Sequence, residues 1–214
     1  MTSTTESHIV LLGDSIFDNR AYTSGEPDVV SHLRSLLPTG YRATLCAVDG
    51  DTTQGVPEQL RGVPDDATHL IVSVGGNDVL GNTDLLSMAV DSTAEALALF
   101  AKRVARFEAD YRSAIADVLI LRRPTTVCTI YNGNLSPLEA EIARIGLMTF
   151  NDVILRVAFE HRVNIIDLRL VCTQPADYAN PIEPSGPGGL KIAQAILRSL
   201  ELDGVPTKFS RVYR

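Results

Sequence analysis

The sequence lacks several features that would assign it to common classes of protein. It has 19 lysines and arginines against 26 aspartates and glutamates, a formal net charge of −7, and no basic cluster. Nucleic-acid binding needs a basic face, so we expect no nucleic-acid partner. No apolar run approaches the roughly 18 residues of a membrane span, and the first residues lack the basic and apolar regions of a secretion signal. We therefore expect a cytoplasmic protein.

Cysteine is also scarce, with three copies at Cys46, Cys128 and Cys172. Their number is odd and their spacing does not match a metal-binding motif, which favours reduced, packed thiols. We expect neither a metal nor a cofactor.

Short apolar runs alternate with stretches of helical periodicity along the whole chain. The first run, residues 9–12, ends at the turn formed by residues 13–15. Such alternation is typical of β-α-β units around a parallel sheet with helices on both faces. The chain has 214 residues, of which 45% are hydrophobic, and this suits one globular domain. We assign residues 1–7 to an extended or disordered tail and residues 8–214 to that domain.

Polar residues follow the predicted strands at the edge where parallel strands end. Ser15 follows the first strand, Gly50 the second and Asn77 the third. Ligands of open α/β sheets bind outside the carboxyl ends of the strands, so these residues should meet in one crevice. A hydroxyl nucleophile with donors for a developing oxyanion is what acyl transfer requires. Each turn alone is also compatible with an ordinary strand-to-loop connection.

Four segments resemble sequence blocks of the SGNH, or GDSL-type, hydrolase superfamily. They are residues 13–15 (Gly-Asp-Ser), 49–53 (Asp-Gly-Asp-Thr-Thr), 75–78 (Gly-Gly-Asn-Asp) and 184–188 (Pro-Ser-Gly-Pro-Gly) with Ile192-Ala193. The resemblance implies an α/β flavodoxin-like three-layer sandwich with a five-stranded parallel sheet in the order 2-1-3-4-5. It also implies cofactor-free hydrolysis of esters or thioesters, or deacetylation of sugars. Ser15 would be the nucleophile, and the N–H groups of Ser15 and Gly50 with the Asn77 side chain would form the oxyanion hole.

The last block departs from the family pattern, which is Asp-x-x-His followed by proline. When Pro184 and Gly188 are laid on that pattern, Glu183 stands where the histidine belongs. Asn180 then stands where the aspartate belongs. Both members of the family's base-and-orienter pair are therefore changed in this chain.

No histidine offers an obvious substitute for the missing base. The four lie at the opposite edge of the predicted sheet or inside the first helix: His8, His69, His161 and His32. Glu183 is our first candidate, ahead of Asp177 and Asp167. A free glutamate has a pKa about two units below that of histidine, and burial would recover part of that basicity. The alternative for Glu183 is a structural role in which its carboxylate accepts backbone N–H groups.

Several further residues are candidates for supporting the site or contacting substrate: Asp14, Asp78, Asp177, Asn180, Tyr178 and Arg169. Most of them belong to, or adjoin, the long irregular stretch at residues 173–187. Irregular loops of this length in compact domains are more often functional than idle, although a rigid connector is an alternative.

Two functions follow from this pattern. The first is a serine hydrolase acting on a small acyl ester, thioester or acetylated substrate through acyl-Ser15. The second is a catalytically silent relative that binds a ligand or protein partner in the same crevice. An unrelated nucleotide-binding protein is disfavoured because no glycine-rich phosphate loop is present. A long helical pattern, residues 91–116 with Asp91 as its N-cap, offers a surface for a homodimer.

Overall fold

The computed structural model describes residues 6–200, in which five strands form one parallel sheet. The strands are β1 (Ser7–Gly13), β2 (Tyr41–Leu45), β3 (His69–Ser73), β4 (Thr125–Cys128) and β5 (Asn164–Ile166). Their spatial order is β2-β1-β3-β4-β5, which confirms the predicted order. β1 begins at Ser7, the last residue of the predicted tail, whereas residues 1–5 lie outside the described part of the chain.

Six α-helices connect these strands within the same range. They are α1 (Val29–Leu36), α2 (Val56–Leu60), α3 (Gly76–Leu80), α4 (Thr93–Ile120), α5 (Pro137–His161) and α6 (Gly186–Ser199). Helices α1 and α6 pack on one face of the sheet, and α4 and α5 pack on the other. The predicted three-layer α/β sandwich is therefore confirmed. None of the described helices combines the length and apolarity that crossing a membrane requires.

The helix predicted from Asp91 begins two residues later. The Ser92 side chain caps it by accepting a hydrogen bond from the Glu95 N–H at 3.1 Å, so the predicted N-cap at Asp91 is wrong. Ser92 has the extended backbone that an N-cap requires, and its short hydroxyl reaches the free N–H three residues ahead.

The side chains of β1 divide the interior into two cores. Ile9 and Leu11 pack with α1 and α6, whereas Val10 and Leu12 pack with α4 and α5. Successive side chains of a strand point to opposite faces, so a strand covered on both faces needs apolar residues at every position. This explains the continuous apolar run at residues 9–12. Because β1 lies between β2 and β3, its last residues enter the middle of the carboxyl edge.

Candidate active site

The turn after β1 lies directly against the end of β3. Gly13 has a positive φ of 131°, and a Cβ there would collide with the Ser73 carbonyl group. The Asp14 N–H donates to that same carbonyl at 3.0 Å. Only glycine permits both the backbone conformation and the close approach. The turn therefore holds Ser15, which is 7% exposed, at the carboxyl edge of the sheet.

A buried amide, Gln59 of α2, connects the first two turns. Its Oε1 accepts from the Gly13 N–H at 2.7 Å, and its Nε2 donates to the Gly13 carbonyl at 2.7 Å. The same Nε2 donates to Asp51 Oδ2 at 2.6 Å. Our sequence reasoning missed Gln59, because a single glutamine in a short helix 46 residues away carries no recognisable motif.

The third turn is joined to the second by two side chains. The Asn77 amide donates to the Asp51 carbonyl at 2.8 Å. Asp78 accepts from the Thr53 N–H at 3.0 Å and from the Thr53 hydroxyl at 2.7 Å. Burial is the main reason that the pKa of Asp78 is raised. These contacts orient Asn77 and leave its second amide hydrogen available to a ligand.

The two backbone donors predicted for the oxyanion hole differ in their surroundings. Neither the Ser15 nor the Gly50 N–H donates to an acceptor among the described residues. Ser15 and Asn77 line the same cleft, whereas Gly50, with a positive φ of 82°, is exposed and is not part of its lining. The structure thus brings Ser15 and Asn77 together in one cleft. Gly50 directly precedes Asp51, whose carbonyl accepts the hydrogen bond from Asn77.

Glu183 lines this cleft together with Ser15 and is 7% exposed. Its Oε2 atom is buried and has no hydrogen-bond partner among the described residues. Burial raises the pKa of the Glu183 carboxyl, and the nearby charge of Asp49 raises it further. The interaction with the Ser15 side chain lowers this pKa and so offsets part of the rise. A buried carboxylate with a free oxygen therefore faces the serine hydroxyl.

The backbone around Glu183 is fixed by two side chains. Asn180 Oδ1 accepts from the Ile182 and Glu183 N–H groups, both at 2.9 Å. The Tyr131 hydroxyl donates to the Ile182 carbonyl at 2.6 Å. Asn180 thus positions the chain at Glu183 without contributing its amide to the cleft lining.

A second asparagine, Asn19, connects the Glu183 loop to the serine side. It is completely buried, its amide donates to the Pro184 carbonyl at 3.0 Å, and its Oδ1 accepts from the Val29 N–H at 3.0 Å. Sequence reasoning missed it, since 165 residues separate Asn19 from Pro184.

The other carboxylates considered as bases are engaged elsewhere. Asp177 is buried and accepts two backbone N–H groups, and its Oδ1 lies 2.6 Å from Lys191 Nζ. Asp167 accepts from the Thr129 hydroxyl at 2.8 Å and pairs with Arg169 at 2.7 Å. Neither lines the cleft that contains Ser15.

The two residues predicted to contact substrate also lie outside this lining. Arg169 is paired with Asp167, and the Tyr178 hydroxyl donates to the Cys172 carbonyl at 2.9 Å. The Tyr178 ring packs edge-on against Tyr131, with centroids 5.1 Å apart. Tyr178 therefore supports the Tyr131 hydroxyl that fixes the Glu183 loop.

Asp14, the residue before Ser15, lines the same cleft as Ser15 and Glu183. It is 2% exposed and its Oδ1 accepts from the Ile16 N–H at 3.1 Å. Burial raises the pKa of Asp14 to about 7, with the Glu183 and Asp78 charges adding to the rise and the Ile16 N–H opposing it. Asp14 therefore exchanges its proton near neutral pH.

The cleft has a volume of about 350 Å³ and extends from Ser15 toward α4 and α5. Most of its lining is apolar and includes Val79, Leu80, Leu86, Phe100, Ile142 and Leu147. Within residues 6–200, no group of three or more His, Cys, Asp or Glu side chains is arranged to hold a metal ion.

The sheet order and the three linked turns at its carboxyl edge define an SGNH-type α/β hydrolase fold. The chain belongs to the GDSL-like lipase/acylhydrolase family, whose sequence profile matches residues 11–188. The resemblance stated from the four sequence blocks is thereby confirmed. No curated protein sequence matches the chain.

Solved structures share the fold over nearly the whole chain. An extracellular lipase from Streptomyces rimosus is 17% identical, with a TM-score of 0.68 over 90% of this chain and 99% of that one. An acetylxylan esterase from Geobacillus stearothermophilus is 19% identical, with a TM-score of 0.64 over 94% and 97%. A phospholipase A1 from Streptomyces albidoflavus is 15% identical, with a TM-score of 0.68 over 91% and 99%. At these identities the likeness shows the fold, and the cytoplasmic location and the homodimer stay predictions.

Proposed function

We propose that the protein is a serine hydrolase that cleaves a small acyl ester through an acyl-Ser15 intermediate, with Glu183 as its base. The observation that carries this proposal is the buried Glu183 carboxylate, which faces the Ser15 side chain in one cleft. None of the four histidines, all within the described range, lines that cleft. A carboxylate is therefore the group placed to accept the serine proton.

The first half of the reaction forms the acyl-enzyme. Ser15 Oγ attacks the ester carbonyl carbon while its proton passes to Glu183. The Ser15 N–H, the Gly50 N–H and the Asn77 amide stabilise the negative oxygen of the tetrahedral intermediate. The intermediate then collapses, the ester C–O bond breaks, and the leaving alcohol takes the proton from Glu183.

The second half releases the acid. A water molecule gives a proton to Glu183 and attacks the acyl-Ser15 carbonyl, and the proton then returns to Ser15 Oγ as the acid departs. The Glu183 carboxylate lines the cleft with Ser15, so the group that takes the serine proton in the first half can take the water proton in the second.

The weakness of a glutamate base is partly compensated by its surroundings. A free glutamate is less basic than histidine by about two pKa units, or about 3 kcal/mol. Burial raises the pKa of Glu183 and so recovers part of this difference. Asp14, with a pKa of about 7, is partly protonated near neutral pH and so adds less than a full negative charge to the cleft that it lines with Ser15.

The test compares hydrolysis of short p-nitrophenyl esters by the wild type, Ser15→Ala and Glu183→Gln. We expect Ser15→Ala to lower kcat by at least about 10³-fold and Glu183→Gln by about 10²–10⁴-fold. Glu58→Gln, which changes an exposed carboxylate paired with Arg61, is the matched control and should keep the wild-type rate. The activity should also rise with pH through the Glu183 pKa, above its ordinary value of 4.5, and this limb should vanish in Glu183→Gln.

Each outcome has a separate meaning. An unchanged rate in Ser15→Ala would show that the serine is not the nucleophile. Loss in Ser15→Ala with full activity in Glu183→Gln would remove only Glu183 from the mechanism. A wild-type protein that turns over no ester would favour the silent, ligand-binding relative.

A further inference from the structure

We propose that the acyl group of the substrate is an alkyl chain of medium length, and that it lies in the apolar cleft between Ser15 and Gly146. This inference rests on the proposed function, because it takes Ser15 as the atom that receives the acyl group. It goes further by naming the substrate class and the residue that sets the acyl length.

The chemistry of the cleft favours an alkyl chain over a sugar. Its walls are formed by Val79 and Leu80 of α3, Phe100 of α4, and Ile142 and Leu147 of α5. A sugar ring in such surroundings would leave hydroxyl groups without hydrogen-bond partners, which is unfavourable. An alkyl chain gains free energy with each methylene removed from water. The fold itself does not decide this point, since it is shared by lipases and acetylxylan esterases.

The size of the cleft limits the length of that chain. Its volume is about 350 Å³. At the roughly 30 Å³ that a small non-hydrogen group such as water occupies in a liquid, there is room for roughly ten such groups. An acetyl group would leave most of the space unfilled, whereas a chain of roughly six to eight carbons would fill it together with the ester group.

Gly146 provides part of this space. It lies inside α5, where glycine costs about 1 kcal/mol relative to alanine. Its φ is not positive, so the backbone conformation does not require glycine. A Cβ added there would lie 3.8 Å from Phe100 Cε1, which is an ordinary contact. What glycine supplies here is therefore room between α4 and α5, beside the ring of Phe100.

The test is the dependence of kcat/KM on acyl length, measured with p-nitrophenyl esters from acetate to decanoate. In the wild type we expect kcat/KM to rise about fourfold per methylene until the cleft is filled at about octanoate. Gly146→Phe should lower the octanoate-to-acetate ratio of kcat/KM by about tenfold or more. Gly146→Ala should give a ratio between those of the wild type and Gly146→Phe. Met148→Phe adds a similar ring to the same helix at a position that is 54% exposed and outside the cleft, and should keep the wild-type profile.

A binding measurement separates this inference from the catalytic proposal. Methyl octanoate and methyl acetate are titrated calorimetrically into Ser15→Ala protein with and without Gly146→Phe. Tighter binding of the octanoate, abolished by Gly146→Phe, supports the acyl cleft even if the wild type hydrolyses no ester. Ester hydrolysis that is fastest on acetate and indifferent to Gly146→Phe overturns the acyl cleft while leaving the hydrolase proposal intact.

Discussion

The turn that carries Ser15 follows one of three paired strands, whereas the loop that carries Glu183 is irregular and is joined to the rest of the site by single hydrogen bonds from distant parts of the chain. On the serine side, the ends of β1, β2 and β3 come together because those strands are paired. Gln59 and Asn77 then connect turns that are already adjacent. On the glutamate side, the Ala179 N–H donates to the Glu183 carbonyl within the loop, and the Asn134 N–H and the side chains of Asn19 and Tyr131 join the loop to the rest of the molecule.

The difference indicates which part of the site tolerates change. Paired strands share many backbone hydrogen bonds, so losing one side chain leaves the serine side in place. The glutamate loop has only the isolated bridge between Tyr178 and Pro184 in place of paired strands, and it relies in part on buried polar side chains. A buried group left without its partner costs about 1–3 kcal/mol. We therefore expect substitutions on the serine side to lower the catalytic rate. Substitutions of residues that support the glutamate loop should change both the position of Glu183 and the free energy of unfolding.

Asn77→Ala should have the largest effect of the variants that test this comparison. It removes the proposed oxyanion donor while the paired strands keep Ser15 in position, so kcat should fall about 10²–10³-fold with little change in stability. Steady-state kinetics and thermal melts measure the two effects. Asn77→Asp keeps the size but loses the N–H donor and should be equally impaired. A loss below about threefold would remove Asn77 from the oxyanion hole.

Asp14→Asn tests the buried carboxyl that lines the cleft with both Ser15 and Glu183. The folded protein holds the Asp14 proton up to about pH 7, whereas the unfolded chain releases it near 3.8. The stability that this proton contributes is complete below the pKa of Asp14 in the unfolded chain. It is lost as the pH rises through the pKa of Asp14 in the folded protein. Asp14→Asn should therefore reduce the fall in unfolding free energy between about pH 5 and pH 8 by about 2–3 kcal/mol.

Urea unfolding across this pH range measures the effect of Asp14→Asn. Asp65→Asn changes an exposed aspartate and should leave the wild-type pH dependence unchanged. A pH dependence that is the same in Asp14→Asn as in the wild type would contradict a raised pKa at Asp14.

Asn19→Ala should have the smallest effect, and it acts on the link between the glutamate loop and the start of α1. It leaves the Pro184 carbonyl and the Val29 N–H without their partner, so we expect a loss of about 1–3 kcal/mol in unfolding free energy. The loosened Glu183 loop should also lower kcat/KM for p-nitrophenyl acetate about tenfold.

The matched control for Asn19→Ala is Asn151→Ala. Asn151 is equally buried and bonds to both the N–H and the carbonyl of Ile130. Asn151→Ala should lower the free energy of unfolding by a similar amount. It should change kcat/KM for p-nitrophenyl acetate by less than about threefold. If both variants lose activity equally, the effect of Asn19 is one of general stability and not of Glu183 placement.

The sequence by itself determined the sheet and the serine side of the site. The apolar run at residues 9–12 and the turns after each predicted strand were visible because strand burial and turn chemistry are local properties. Parallel pairing then places Ser15 and Asn77 at one edge without further information, and the block resemblance supplied the strand order.

The comparison with the family's last block favoured Glu183, but only the tertiary structure decided which carboxylate of the loop lines the cleft with Ser15 and what else lines it. Glu183 and Asp177 lie in one irregular loop, and no periodicity separates them. Asp177 turns to Lys191 and to loop N–H groups, while Glu183 enters the cleft through bonds made by residues far away in the chain. The space beside Gly146 likewise arises from the packing of α4 against α5. Such convergence depends on long-range packing, which a local pattern of residues does not encode.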